Sequence, residues 1–193
     1  MNRILLAIPV LSAALWAQPL TYTIDPAHSS SDFAVKHMMI STVKGSFSKT
    51  TGTIVYDEKN LGASSVEAAI DATSITTRVD QRDNHLKSPD FFDVAKFPTI
   101  TFKSKQWYRE GGALRIKGDL TIHGVTKEVV LDVDGPTPEV KGMGGARIGA
   151  TATTKINRKD FGLTWNRPLE AAGGVLVGDE VTITIEVEAS RKV

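Results

Sequence analysis

The chain has 193 residues, enough for one domain and a short appendage. Hydrophobic residues make up 41% and charged residues 23%, ordinary globular values that exclude disorder and collagen-like repeats. Lys and Arg total 23 against 22 Asp and Glu, which excludes a basic nucleic-acid footprint and a polybasic membrane patch, and the absence of Cys excludes thiol catalysis, disulfides, iron–sulfur clusters and Cys-based zinc sites.

The first segment reads as a secretory signal peptide over residues 1–17. Arg3 is its only charge, the stretch from Ile4 to Leu15 is apolar, and Ala17 is a small residue at a plausible cut. The apolar run is shorter than the ~20 residues that span a bilayer. No Cys follows, so a lipid anchor through Cys is excluded. Removing Arg3 leaves 22 basic and 22 acidic residues in the domain, 18–193. The expectation is a periplasmic or secreted protein with no stable membrane anchor after processing. Its core must suffice without disulfides.

Period-two alternation dominates the rest of the chain. Thr21–Asp25 is a short strand candidate. Phe33, Val35, His37 and Met39 then share one face, with Asp32, Ala34 and Lys36 opposite. Ser46–Tyr56 is a further short candidate. Val66, Ala68, Ile70 and Ala72 oppose Glu67 and Asp71. Only Thr77–Leu86 looks helical, and Ser88 can cap a second short helix with Pro89 at its first position. Thr99–Ser104 is extended, and Glu110-Gly111-Gly112 reads as a hairpin tip. Leu114, Ile116, Leu120 and Ile122 oppose Arg115, Lys117, Asp119 and Thr121. His123-Gly124 is a second tip, followed by Val129, Leu131 and Val133. Residues 135–145 hold Pro and Gly and read as a loop. Ile148, Ala150, Ala152 and Ile156 form the next face, and Val181, Ile183, Ile185 and Val187 the last. Eight or nine strands with one apolar and one polar face each belong to antiparallel sheet. Consecutive hairpins favour an all-β, eight-stranded antiparallel up-and-down barrel with one helical insertion capping an end.

Several blocks of sequence resemble the YceI-like family of exported lipid-binding proteins. They are Ile24-Asp25-Pro26-Ala27-His28-Ser29, Phe33-Ala34-Val35-Lys36-His37-Met38 and Val43-Lys44-Gly45-Ser46-Phe47. Arg82-Asp83-Asn84-His85-Leu86 with Ser88-Pro89-Asp90-Phe91-Phe92-Asp93 is the most specific. Phe97 to Ser104, Gly118 to Lys127 and Asn157 to Leu163 complete the set. Thr164 to Asp179, rich in Gly and Ala, carries no family motif. The resemblance implies a lipocalin-like barrel whose interior holds a long isoprenoid or a similar fatty amphiphile.

The residues accord with a carrier. An eight-stranded barrel has room for side chains or one slender ligand. Ala68, Ala72, Ala150, Ala152 and Gly118 are small residues on inward faces and leave space. Phe33, Phe47, Phe91, Phe92, Phe102 and Phe161 either line the tunnel or fill a core. Phe91 and Phe92 sit on the helical insertion and are expected to close one barrel end, with at most one pointing straight down the tunnel. Val35 shares the inward register of Phe33. His37 lies in that register too, as a satisfied core residue or as a partner for a head group. His28 is expected to bond backbone groups in a turn, and His123 to be an exposed turn residue. Arg82 and His85 share a helix face. Arg82 with Asp83 either anchors the insertion, or Arg82 and His85 meet a phosphate or quinone oxygen.

Enzyme signatures are missing. There is no G-x-S-x-G elbow, Walker loop, H-E-x-x-H or dinucleotide glycine motif. The sequence therefore reads as a non-enzymatic carrier with no metal and no cofactor. Its rivals are an enzyme on an isoprenoid or quinone with Arg82, Asp83 and His85 at the mouth, and a module whose tunnel is a filled core. Oligomeric state stays open, a homodimer being one option.

Overall fold

The computed structural model describes residues 18–142, 144–169 and 174–193. The expected signal segment, 1–17, lies outside the described residues. The elements are β1 (Leu20–Ile24), β2 (Ser30–His37), β3 (Ser41–Phe47), β4 (Thr50–Tyr56), β5 (Ser65–Asp71), β6 (Ile75–Thr76), α1 (Asp80–Lys87), β7 (Thr99–Glu110), β8 (Ala113–Ile122), β9 (Val125–Asp134), β10 (Val140–Gly142), β11 (Gly145–Asn157) and β12 (Val177–Arg191). Pairing runs β12–β1–β4–β5–β7–β8–β9–β11 and closes from β11 back to β12, all antiparallel. The ring has eight members, as the alternation predicts.

Two staves of the barrel are bent and count as two strands each, and with the short β6 and β10 lying outside the ring, twelve strands make eight staves. Thr23 faces Thr53, and past the corner Ser31 faces Phe47, so β1 with β2 and β3 with β4 form one long hairpin. The break at Ser48 and Lys49 divides the stretch expected as a single strand over Ser46–Tyr56. At the bend the Ser31 and Thr50 hydroxyls are buried and bond each other at 2.9 Å. That pairing satisfies two polar groups the bend takes out of water. β2 ends at His37, and Met38 and Met39 take left-handed conformations with φ of 51° and 61°. Met39 therefore does not continue the inward face as expected.

The tips behave as the residues dictate. Both residues of His123-Gly124 have positive φ, as do Gly111 and Gly112, the geometry a tight two-residue hairpin needs. The His123 ring is not simply solvated, because Phe97 packs on it with centroids 4.6 Å apart. β7 runs on to Glu110 through a bulge between Ser104 and Gln106. The extra residue turns Trp107 inward, where it is buried. The 135–145 segment carries β10, paired with β11.

The insertion between β5 and β7 differs from its expected boundaries. The helix starts at Asp80, not Thr77. Asp83 Oδ1 accepts the Thr77 N–H at 2.7 Å and the Thr77 hydroxyl as well. Arg82 Nε donates to Thr77 Oγ1 at 2.7 Å, and its guanidinium also reaches the Thr77 carbonyl at 3.1 Å. Thr77 is thereby held outside the helix. Of the two readings open for Arg82 and Asp83, the geometry matches anchoring of the insertion, through Thr77 rather than as a direct pair. The second helix does not form. Ser88 O accepts from both Phe91 and Asp93, and Phe92 N–H bonds Leu86 O, so 88–96 is a run of turns.

Candidate functional site

The eight staves enclose a cavity of about 210 Å³. Its wall is almost entirely carbon. Val66, Ala68 and Ile70 come from β5, Ala150, Ala152 and Ile156 from β11, and Val181, Ile183, Ile185 and Val187 from β12. These are the apolar registers read from the sequence. The volume is below the ~300–1,000 Å³ of typical ligand pockets. Each methylene buried there gains about 0.8 kcal/mol.

Of the residues singled out from sequence, Phe33, Val35, Phe47, Phe91, Phe92 and Phe102 line this cavity. Phe47 links the β2–β3 wall to the insertion: its ring centroid is 5.9 Å from Phe33 and 5.6 Å, edge-on, from Phe92. Two glycines make this possible by close approach. A Cβ at Gly45 would run into the Phe33 ring, and one at Gly118 would lie 2.6 Å from the Phe102 ring. Gly118 thus makes room for Phe102, not for a ligand. Ala72 also departs from its expected place. It is fully buried in a 3₁₀ turn, Ala72–Ser74, after β5 has ended.

His37, Arg82, His85 and Phe161 lie outside the cavity wall. His37 closes β2 opposite Ser41 and Val177, beyond Val35. Arg82 is committed to Thr77, as above. Phe161 sits in the 3₁₀ turn Arg158–Phe161, only 2% exposed, as core beneath the β11–β12 connection. His85 faces away from Arg82's partners. Its Nε2 lies 2.8 Å from Asp90 Oδ2, and its ring meets Phe91 at 5.1 Å and Trp165 at 4.8 Å, both edge-on.

Trp165 and Arg158 are the residues that sequence reasoning missed. Phe91 packs on Trp165 at 5.1 Å, so the insertion and the β11–β12 connection meet in an aromatic roof of His85, Phe91 and Trp165. Arg158 is buried and lines the cavity beneath it. It donates through Nε to Gly178 O at 2.9 Å and through its guanidinium to Leu163 O and, at 3.5 Å, Val177 O. Burial lowers its pKa from the ordinary guanidinium value, an effect that the Asp179 carboxylate opposes. Asn166 adds a two-way bond to the Val177 backbone, at 2.7 and 3.0 Å. One buried cation therefore ties the two ends of the connection to each other. Arg158 stands in a sequence block noted for its family likeness, but nothing local marks it as buried.

The roof gives a direct expectation. Phe91 and Phe92 both reach the cavity, Phe92 toward Phe47 and Phe91 toward Trp165. Phe91→Ala with Phe92→Ala should raise the off-rate of a bound chain about tenfold while the barrel's circular dichroism is unchanged. An unchanged off-rate in a folded variant would remove the roof from the release path.

A second cluster, on the outer corner, joins Asp25, His28 and Glu188 within metal-ligand reach of one another. Arg147 already occupies it, donating to both carboxylates, 3.0 Å from Asp25. The His28 ring bonds the Asp25 carboxylate at 2.9 Å, where a backbone partner was expected. His28, the Ala27 N–H and Arg147 together hold the Asp25 carboxyl down at about 2. The cluster is an ion-paired brace for the bent stave.

The comparisons agree with this architecture. Residues 22–189 match the YceI-like domain. A UPF0312 protein of Vibrio cholerae is 39% identical over 169 residues, covering 84% of this chain and 89% of the relative. The crystal structure of a Campylobacter jejuni YCEI protein is 34% identical with a TM-score of 0.68, over 82% of this chain and 90% of that one. A domain from Saccharophagus degradans, described as polyisoprenoid binding and implicated in plant cell wall breakdown, superposes with a TM-score of 0.64 at 16% identity, over 88% and 97% of the two chains. With a closed eight-stave barrel, an apolar interior and a domain match over nearly all of the described residues, this chain belongs to the YceI-like family.

Proposed function

We propose that the protein is an exported carrier that holds a long isoprenoid, or a similarly slender amphiphile, non-covalently inside the barrel. The observation that carries this reading is the cavity wall: apolar side chains from every stave around a narrow void, roofed at one end by aromatics. A chain of methylenes and methyls needs no more than that to bind. The Saccharophagus degradans domain, described as polyisoprenoid binding, has the same fold, and at 16% identity it speaks to the barrel rather than to this wall. The enzyme alternative loses its residues. Arg82 and Asp83 are spent on Thr77, and His85 faces Asp90 and the roof.

Native mass spectrometry of freshly purified protein should show an added mass that organic extraction removes and identifies as a long apolar chain. A protein that purifies empty, and takes up no dansyl-labelled farnesol, would overturn the carrier; chemical turnover of a bound lipid would favour the enzyme. Export carries its own check. The periplasmic protein should begin near Gln18, and an uncut form starting at Met1 in the membrane fraction would defeat it.

A further inference from the structure

We infer that the β2–β3 turn, Met38-Met39-Ile40, is a membrane-docking tip that sets the roofed end of the barrel against a lipid surface. Ile40 is 81% exposed, the most exposed large apolar side chain among the described residues, and its neighbours Met39 and Met38 are 63% and 39% exposed. Three consecutive apolar side chains in water have no role in the core. They are also held there at a cost. Met38 and Met39 are both left-handed, a conformation that disfavours most residues with a Cβ and that Asn and Gly adopt readily. The turn is fixed and not frayed, since Met38 N–H bonds Leu176 O at 2.8 Å and Ile40 N–H bonds His37 O at 3.1 Å.

Position and charge identify the partner. Val35 and Val177 line the cavity, and Val177 pairs with His37, so the apex of the tip at Met39 stands about two residues, or roughly 7 Å, beyond the cavity rim. It projects from the end that Phe91 and Trp165 roof. Lys36 and Lys44 flank it, both exposed and without an ion pair among the described residues. The nearby carboxylates of Asp179 and Glu180 are engaged by Lys159 and Lys155. An apolar wedge between free cations fits an anionic bilayer, where the apolar groups enter the headgroup boundary and the lysines meet phosphate. The inference rests on the carrier reading, because a guest insoluble in water has to be exchanged with a bilayer at the end that opens.

The test uses phosphatidylethanolamine vesicles containing phosphatidylglycerol. Met38→Asn with Met39→Gly and Ile40→Thr supplies better turn residues, so the variant should fold at least as stably as the parent. It should nevertheless sediment with vesicles about tenfold less and draw dansyl-farnesol out of them correspondingly more slowly. Its uptake of the same probe from vesicle-free solution should equal the parent's. Lys36→Glu with Lys44→Glu should weaken binding to these vesicles by about fivefold per lysine, and leave pure phosphatidylcholine unaffected. Equal vesicle binding by parent and turn variant, or a parent that ignores vesicles while taking up the probe from solution, would overturn the docking tip alone. A parent that sediments with vesicles but never takes up the probe would overturn the carrier reading and leave the tip standing.

Discussion

Val35→Glu should abolish uptake of a long-chain probe and lower unfolding stability by about 2–4 kcal/mol, whereas Lys36→Glu should leave uptake from solution and stability unchanged. The two positions are adjacent on β2 and point to opposite faces. Val35 lines the cavity beside Val43 and Val181, its pairing partners, and the one cation in that wall, Arg158, already spends its guanidinium on backbone carbonyls. An ionised Glu there lacks water and gains a partner only by drawing Arg158 off its carbonyls, and a protonated one still places two oxygens against methyls. Lys36 is exposed and its replacement stays in water. Denaturant titration together with probe fluorescence reads both quantities. Comparable losses from the two substitutions would mean that the inward face of this strand has been assigned wrongly.

Arg158→Ala should be at least as damaging to stability and should also loosen the roof. The substitution removes the donors from the Leu163 and Gly178 carbonyls and the weaker one from Val177. Each buried carbonyl left unpaired costs about 1–3 kcal/mol, so a loss of about 3 kcal/mol or more is expected. Arg158→Lys should not rescue it, because an ammonium on a single stem cannot fork across acceptors from two chain segments. The same connection carries Trp165 to Phe91, so both variants should release a bound probe faster than the parent. Stability within 1 kcal/mol of the parent for Arg158→Ala, measured by urea unfolding, would show that water replaces the guanidinium at no cost.

The sequence by itself determined the walls of this protein. Which side of β5, β8, β9, β11 and β12 faces inward follows from side-chain alternation, and alternation is a local property of extended backbone. Val66 to Ile70, Ile148 to Ile156 and Val181 to Val187 therefore read correctly without any partner strand in view. The tips at His123-Gly124 and Gly111-Gly112 were legible for the same reason, since a two-residue turn is specified by its own residues. Local alternation fails where a strand ends or slips. It extended the inward face of β2 to His37 and Met39, because nothing in the residues says that the chain turns back at Met38. It missed Trp107 because one extra residue after Ser104 reverses the parity. The roof was out of reach altogether. Thr77 leaves the helix because Asp83 and Arg82 claim its backbone and hydroxyl. Arg158 is buried because carbonyls of two chain segments converge on it, and Trp165 matters because an insertion some seventy residues earlier folds onto it. Such contacts depend on how the staves close into a ring, and closure is a tertiary event that no stretch of the chain encodes alone.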